Sequence, residues 1–398
     1  MTSADQTRHS YDLRPYPDTR AGEALGQRCS LPSLKWIRAW GRPGLPPPQR
    51  VLVAGCGTGA EAFFLRRHWP HAEIVAVDFS PRSITRARRL QRSAPNGKPI
   101  RFAVVDLTDL AAVAQLGEPF DLITCHGVLS YIPAPQSALI GLGSCLARGG
   151  ALYLGVNGEA HPALRLRPWL SRFGLRMDEM RDEPRLRTVL GLWDSLHDDG
   201  IGGLAGMSAS YLASDVCGPH FNNWSLARWR TEFRASGWEI VGSSLLPLAL
   251  RLTLEGDHWR LFTPSNVGEL AESLDHARPA SFHQLLLRRP LVGGREPGGG
   301  PGSGPDLAWY WTGLYTLRLG RPDARGRVPA VLSCASFKLS LAWVLSRRQV
   351  TAVKKMIENG SAPAGWLGQW GRSETDRRAL SIWAGLGIVA PGEPGICD

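Results

Sequence analysis

The first 290 residues alternate between short apolar runs and longer segments in which apolar residues recur with helical spacing. The apolar runs lie at 50–54, 73–77, 100–105, 120–125 and 150–154, and the helical segments between them at 60–68, 81–94, 107–116 and 133–147. Runs this uniformly apolar are typical of strands buried on both faces of a parallel sheet. Strands that alternate with helices predict an α/β domain with a doubly wound, mostly parallel sheet.

The join between the first strand and the first helix carries the clearest chemical signal. Residues 55–59 are Gly-Cys-Gly-Thr-Gly, and glycines at alternate positions allow a tight turn and close approach of a ligand to the backbone. Asp78 ends the second apolar run, nineteen residues after Gly59. A carboxylate at that point can accept hydrogen bonds from both hydroxyls of a ribose. This order of strand, glycine turn, helix, strand and acid indicates a nucleoside-containing ligand.

The GxGxG spelling differs from the GxGxxG of dinucleotide sites. It resembles motif I of the class I S-adenosylmethionine-dependent methyltransferases. Three further segments match that family at its spacing: 100–107 around the third strand, 120–129 around the fourth, and 146–154 with a Gly-Gly turn before the fifth. The resemblance implies a Rossmann-like, seven-stranded fold over about 45–290, S-adenosyl-L-methionine as cofactor, and methyl transfer as the activity.

The resemblance also assigns cofactor-binding residues. The backbone beside the methionine and ribose would come from Gly55, Cys56, Gly57, Thr58 and Gly59. Asp78 would hold the ribose, with Phe79 against one adenine face, while Asp106 would accept from the adenine amino group near the amide of Leu107.

One position departs from the family pattern. Members usually carry an acid two residues before the first glycine, where this chain has Val53. That acid helps to orient the methionyl end of the cofactor, so another group is needed here. Glu61, in the first turn of the following helix, is the nearest candidate.

Two residues are candidates for action on the methyl acceptor. His126 follows the fourth strand, where an imidazole could serve as general base for an O–H or N–H acceptor. The alternative is a histidine that only packs beside the methionyl end. Tyr16, with Tyr11, lies in a proline-stiffened segment that is predicted to be extended. The resemblance suggests a lid over the cofactor, and the alternative is a tail docked through its aromatic area.

The chain divides into several predicted units. These are an N-terminal lid or extension at 1–44, the methyltransferase domain at 45–290 with insertions at about 158–224 and 246–280, a Gly/Pro linker at 291–306, and a small, mainly helical domain at 307–398. Helices are expected in the last unit over 336–345, 347–359 and 375–386. Insertions at the ligand-facing edge are a common place to build acceptor specificity.

Composition narrows the class of protein. The 43% hydrophobic content permits a large core, and no apolar run is long enough for a membrane span. The N-terminus lacks a secretory apolar region, and the seven cysteines form no CxxC pair. We therefore expect a reduced, cytoplasmic protein without a metal site. The net charge of +11 is typical of some nucleic-acid-binding proteins, but the basic residues are not concentrated in one segment.

The leading functional prediction is an enzyme that methylates an oxygen or nitrogen atom of a small molecule or peptide side chain. The Asn/Asp-Pro-Pro-aromatic signature of many amino-group methylases of adenine and glutamine is absent, because 125–128 is Cys-His-Gly-Val. The alternative is a cofactor-binding module, or an RNA methyltransferase, that recruits a macromolecular partner through 307–398. Homodimerisation remains open.

Overall fold

The computed structural model describes residues 3–18, 37, 46–93, 98–175, 183–196, 203–218, 220–246, 267–290, 309–311, 316–334, 339–345, 347–359 and 389–391. The strands in these ranges are β1 Arg50–Ala54, β2 Glu73–Asp78, β3 Arg101–Val104, β4 Phe120–His126, β5 Leu146–Asn157, β6 Glu239–Ser243, β7 Phe282–Arg288, β8 Trp309–Trp311, β9 Thr316–Leu319, β10 Val328–Cys334, β11 Leu339–Leu345 and β12 Val389–Pro391. The helices are α1 Ser3–Leu13, α2 Ala60–His68, α3 Pro81–Gln91, α4 Leu110–Ala114, α5 Pro135–Ser144, α6 Ala163–Arg172, α7 Glu183–Leu196, α8 Ala209–Tyr211, α9 Leu226–Ala235, α10 Val267–Ala277 and α11 Arg347–Asn359.

Seven strands form one sheet in the order β3-β2-β1-β4-β5-β7-β6. Strands β1 to β5 run parallel, and β7 is antiparallel to both β5 and β6. The strand order reverses between β1 and β4, and ligands bind at such a switch point in open α/β sheets. The predicted seven-stranded, mostly parallel α/β fold is confirmed.

Burial explains why the central strands form where the apolar runs predict. Val51, Leu52, Val75 and Leu122 are completely buried, because helices cover both faces of the sheet. The predicted start of α3 is also confirmed, since the Ser80 side chain accepts a hydrogen bond from the amide of residue 83 and a proline follows at the first helical position.

The Gly-Gly turn before the fifth strand differs from the prediction. Helix α5 ends at Ser144, and β5 already begins at Leu146, so Gly149 and Gly150 lie inside the strand. The register against β4 shifts in this region, as in a β-bulge. A Cβ on Gly150 would lie 2.9 Å from the carbonyl oxygen of Ala147, so only glycine fits this close backbone approach.

The N-terminal segment also differs from the prediction of an extended chain. Tyr11 lies in helix α1, which ends at Leu13, and only 14–18 continue as bends. The proline stiffening expected from Pro15 and Pro17 acts after the helix rather than through the segment. Helix α1 packs against α3, and this contact supplies the tertiary support that the short, polar helix needs.

The described part of the first predicted insertion has a small core of its own. Leu166, Leu170, Leu190, Trp193 and Leu212 are buried together, away from the main core. After α8 the chain continues as a π-helical turn at Leu212–Val216. π-turns are rare and occur often at functional sites.

The prediction of a mainly helical unit at 307–398 was wrong for the described residues. They hold five short strands, with β9, β10 and β11 in one antiparallel sheet, and the single helix α11. Residues 339–345 were predicted as helix, but short apolar runs do not distinguish helix from strand by periodicity. The predicted helix at 347–359 is confirmed as α11. The linker at 291–306 and the helix expected at 375–386 lie outside the described residues.

None of the described helices combines the length and the apolar character that crossing a membrane requires. In the same part of the chain, no group of three His, Cys, Asp or Glu side chains is arranged to hold a metal ion.

Candidate functional site

The loop after β1 adopts a conformation that requires its glycines. Gly55, Gly57 and Gly59 have φ of 77°, 52° and 95°, in the left-handed region that favours glycine. The amides of Gly55 and Cys56 both donate to the carbonyl oxygen of Val77, which ties the loop to the end of β2. The backbone of the loop is thus held in place by β2 before any ligand is present.

Asp78 connects this loop to the next one. Its Oδ2 accepts from the amide of Gly57 at 2.9 Å, and its Oδ1 accepts from the amide of Ser80 at 2.9 Å. Burial raises the pKa of the Asp78 carboxyl to about 6, and the two amides oppose that rise. Each carboxylate oxygen retains a lone pair, so Asp78 can still accept from ligand hydroxyls.

Glu61 lies close to the Cys56 thiol of the glycine loop, and one of its carboxylate oxygens lacks a partner in the described part of the chain. It lies in the first turn of α2, and its Oε1 is buried and has no hydrogen-bond partner among the described residues. Burial raises the pKa of the Glu61 carboxyl to about 7, although nearby Thr124 on β4 lowers it slightly. No salt bridge to Glu61 exists within the described ranges. A buried carboxylate without a cation is costly, so this oxygen suits a positively charged ligand group.

The N-terminal segment, residues 3–18, covers the glycine loop. The amide of Thr58 donates to the carbonyl oxygen of Tyr16 at 3.0 Å, and the Thr58 hydroxyl donates to the carbonyl oxygen of Pro17 at 2.9 Å. A Cβ on Gly57 would lie 2.2 Å from the same Tyr16 oxygen. The absence of a side chain at 57 therefore permits this contact.

The same segment reaches the predicted adenine residues. The ring of Tyr11 meets the ring of Phe79 edge-on, with centroids 5.7 Å apart. Arg8 pairs with Asp106 Oδ2 at 3.0 Å and lies over the Phe79 ring. The other oxygen of Asp106 accepts from the amide and hydroxyl of Thr108, so both oxygens are already engaged.

Cys56 and Leu107 are buried beside these loops. Burial raises the pKa of the Cys56 thiol well above its usual range, so the thiol stays protonated and is a poor nucleophile. Leu107 is 5% exposed. Both side chains pack against the core, which leaves their backbone as the part available to a ligand.

His126 is held by aromatic neighbours. Its Nδ1 lies 2.7 Å from the hydroxyl of Tyr153 on β5, and its ring packs against Phe282 on β7. Burial lowers the pKa of the His126 imidazole to about 4. The ring is therefore neutral near pH 7, and its low basicity makes it a weak general base.

The structure reveals a carboxylate that the sequence patterns did not single out. Asp215, in the π-turn, accepts from the hydroxyl of Tyr131 at 2.6 Å and from the hydroxyl of Ser214 at 2.6 Å. Tyr131 follows β4, 84 positions earlier in the chain. No motif marks either residue, and the available signal was only that an insertion follows the fifth strand.

An open groove of about 850 Å³ lies between the N-terminal segment and α3. Residues 13–15 and arginines of α3 line it, whereas Asp78, Glu61 and Asp215 do not. Arg82 donates to the carbonyl oxygen of Asp12, and Arg86 pairs with Asp18 at 2.7 Å. These arginines therefore hold the N-terminal segment in place on α3.

Comparison with known proteins gives the same class as the geometry. Residues 52–152 match the family model of a methyltransferase domain, which covers β1 to β5. The sheet order, the glycine loop at its switch point and this match define an α/β protein with the methyltransferase fold of class I. Residues 52–152 thus match the core of a methyltransferase domain.

Two curated relatives cover less than half of the chain. The trans-aconitate 2-methyltransferase of Streptomyces coelicolor is 33% identical over 180 residues, which are 44% of this chain and 54% of that protein. An uncharacterized protein of Synechococcus sp. is 36% identical over 186 residues, which are 46% of this chain and 43% of that protein. The chain thus spans about half the length of these relatives.

A solved structure agrees over a longer stretch. PKMT2 from Rickettsia typhi, in complex with AdoHcy, aligns with 91% of this chain and 75% of its own, with a TM-score of 0.55 and 13% sequence identity. At this identity the likeness concerns the fold alone.

Proposed function

We propose that this protein transfers a methyl group from S-adenosyl-L-methionine to an oxygen or nitrogen atom of a small molecule or peptide side chain. The observation that supports this proposal is the Asp78 carboxylate, fixed by the amides of Gly57 and Ser80 at the switch point of the sheet. This arrangement presents a buried acceptor beside bare backbone, which suits the ribose of the cofactor.

The remaining cofactor contacts follow from the same geometry. Glu61 holds the cofactor's ammonium group, because its buried Oε1 has no partner among the described residues. Phe79 lies against the adenine ring. Asp106 accepts a hydrogen bond from the adenine amino group, and it therefore shares its carboxylate between that group and Arg8. The glycine loop from Gly55 to Gly59 runs beside the methionine and ribose.

The bound cofactor supplies an activated methyl group, and the protein supplies orientation and exclusion of water. The N-terminal segment acts as the lid, since it contacts the glycine loop through Tyr16 and the adenine side through Tyr11. Tyr16 contributes to the acceptor side of the site.

His126 is the second candidate for action on the acceptor. Its contact with Tyr153 and its low pKa favour the packing alternative over a general base. A role in proton transfer would require substrate binding to raise the pKa of the imidazole toward its ordinary value.

The division of the chain belongs to the same proposal. We assign a lid or extension to 1–44, insertions that shape acceptor specificity to about 158–224 and 246–280, a linker to 291–306, and a separate small unit to 307–398. Free, buried thiols occur at Cys56, Cys125, Cys145 and Cys217, which supports a reducing, cytoplasmic location.

A small-molecule acceptor has support from one relative, whose name gives trans-aconitate as its substrate. A macromolecular acceptor would need a partner-binding surface that the described residues do not single out. We therefore place a small molecule or peptide side chain ahead of RNA.

Calorimetry with S-adenosyl-L-methionine and S-adenosylhomocysteine tests cofactor binding directly. Incubation of cell extract with the protein and methyl-labelled cofactor, followed by mass spectrometry, then shows whether label enters small molecules, protein or RNA. Failure of the intact protein to bind either compound at millimolar concentration would refute the proposed function.

A further inference from the structure

Asp215 is the centre of a group of phenols that come from three parts of the chain. Tyr131 lies after β4, Tyr211 lies on α8, and Tyr11 and Tyr16 come from the N-terminal segment. We call these four tyrosines and Asp215 the Asp215 cluster. Tyr131 donates to Asp215 at 2.6 Å. Burial raises the pKa of the other three phenols, and the charge of Asp215 raises it further, so they lie within its electrostatic reach.

Direct contacts hold the three parts together. The amide of Asp18 donates to the Ser210 hydroxyl at 3.2 Å, which ties the N-terminal segment to the turn that carries Asp215. Helix α1 also contacts the π-turn. On the other side, the ring of Tyr131 packs edge-on against Phe221, with centroids 5.3 Å apart. The cluster is therefore a built site and not a chance approach of surface side chains.

The cluster lies next to the cofactor residues. Asp215 and Tyr11 are half-buried, so both remain partly accessible to a ligand. Tyr11 contacts Phe79 and also lies within electrostatic reach of Asp78. Tyr11 thus connects the cofactor residues to Asp215.

The charge balance around Asp215 is the informative feature. Within the described part of the chain, no Lys, Arg or His nitrogen forms a salt bridge with Asp215, and its hydrogen-bond partners are two neutral hydroxyls. Buried carboxylates are normally paired with a cation. Electron-rich aromatic faces beside a carboxylate are the surroundings that attract an organic cation.

We propose that the Asp215 cluster binds the methyl acceptor as a protonated amine, with Asp215 as its counter-charge and the tyrosine rings around it. For methyl transfer the bound ammonium would first give one proton to the Asp215 carboxylate, and the freed nitrogen lone pair would then form the N–CH3 bond as the S–CH3 bond of the cofactor breaks and S-adenosylhomocysteine is released. This inference rests on the proposed function, since it names the acceptor class of the same site. Each Asp215 oxygen keeps a lone pair after the contacts with Tyr131 and Ser214, so the ammonium can add hydrogen bonds without displacing either hydroxyl. A carboxylate acceptor would meet Asp215 with like charge.

Three four-carbon probes test the acceptor class by binding alone. Saturation-transfer NMR is recorded with n-butylammonium, n-butanol and butyrate on the full chain saturated with S-adenosylhomocysteine. We expect n-butylammonium to bind about tenfold or more tightly than the other two, which corresponds to about 1.4 kcal/mol. Equal or better binding of butanol or butyrate, or binding of none of the three, would overturn the inference.

Two substitutions test whether Asp215 causes the preference for n-butylammonium. Asp215→Asn keeps the size of the side chain, and we expect it to remove the preference for n-butylammonium. Glu118 is an exposed residue at the amino end of β4, away from the cluster, so Glu118→Gln should leave the preference unchanged. If Asp215→Asn does not fold, Tyr211→Leu takes its place, with an expected loss of about twofold to fivefold in n-butylammonium affinity. Wild-type preference in the folded variant that is used would overturn the assignment.

Calorimetry separates this inference from an assignment of Asp215 to the cofactor and from a failure of the proposed function. We expect Asp215→Asn to bind S-adenosyl-L-methionine and S-adenosylhomocysteine as the wild type does. A selective loss for S-adenosyl-L-methionine would assign Asp215 to the sulfonium and overturn the amine proposal. Failure of the wild type to bind either compound would instead refute the proposed function, and this binding is measured without n-butylammonium.

Discussion

Replacement of Glu61 by Gln tests the assignment of the cofactor's ammonium group. The side chain keeps its size and polarity, but it loses the charge that a bound ammonium would neutralise. In the wild type this carboxylate is buried, and its Oε1 has no partner among the described residues. The substitution should therefore change affinity and stability in opposite directions.

The pKa of about 7 sets the size of the affinity effect. If the cofactor requires ionised Glu61, its affinity falls about 16-fold between pH 7 and pH 5.5, because the ionised fraction falls by that factor. The ionised fraction of Asp78, whose pKa is about 6, falls about fourfold over the same interval, and cofactor affinity falls by a further factor of about four. We therefore expect a fall of about 60-fold in the wild type and about fourfold in Glu61→Gln. At pH 7 the variant should bind about tenfold more weakly, since a charged hydrogen bond is lost.

The free energy of unfolding of the ligand-free protein should increase in Glu61→Gln, although its cofactor affinity falls. Burial raises the pKa of Glu61 above its unfolded value, so ionisation costs the folded state free energy at any pH above about 4.5. At pH 8 that cost is up to about 3 kcal/mol, and glutamine removes it. The ligand-free variant should therefore melt at a higher temperature than the wild type at pH 8.

Calorimetry with S-adenosylhomocysteine measures affinity at pH 5.5 and 7, where an α-amino group stays protonated. Differential scanning calorimetry gives the melting temperature, and Glu118→Gln serves as the control. Two buffers of different ionisation enthalpy show whether the wild type releases a proton on binding. A Glu61→Gln variant with unchanged affinity and the same pH dependence as the wild type would refute the ammonium assignment.

Three further predictions concern Asp78, Gly57 and His126. Asp78→Ala should weaken cofactor binding by about tenfold or more, and unchanged affinity in a folded variant would contradict the ribose contact. Gly57→Ala and Gly127→Ala both place a Cβ at positive φ, but only the first meets the Tyr16 carbonyl, and nothing lies within 4 Å at Gly127. Hydrogen exchange should therefore show loosening of 3–18 in Gly57→Ala alone, and equal loosening in both would exclude a role of the contact. Since burial lowers the pKa of His126 to about 4, protonation of the unfolded state below pH 6.5 destabilises the fold, by up to about 2 kcal/mol at pH 5. His126→Gln should show a smaller drop in melting temperature from pH 7 to pH 5, and an identical drop would contradict that pKa.

The sequence predicts the sheet well because its strands are buried on both faces. Residues 50–54 and 60–68 match β1 and α2 to the residue, since a buried run, a glycine turn and an amphipathic segment follow directly on one another. The prediction of a helix over 336–345 was wrong because a short apolar run fits either a helix or a strand. Residues 339–345 are apolar enough for a helix, but they pair with β10 in an antiparallel register that only the fold reveals.

The loop geometry of the candidate cofactor site could be predicted because it depends on local chain geometry. Positive φ at the glycines and the position of Asp78 follow from a strand, a turn and a second strand within thirty residues. Asp215 could not be found in this way. Its partner Tyr131 lies 84 positions away, and it becomes chemically significant only when the π-turn folds against the chain after β4.

Asp78, Glu61 and Asp215 share one property that links fold to function. Asp78 and the Oε1 atom of Glu61 are buried, and Asp215 is half-buried. Burial raises the carboxyl pKa of all three, and none has a salt-bridge partner among the described residues. Such groups reduce stability, and a chain selected for stability alone would pair or replace them. All three lie where the carboxyl ends of the parallel strands, the N-terminal segment and the π-turn meet. That shared location is best explained if their missing partners are the hydroxyl and cationic groups of ligands that bind there.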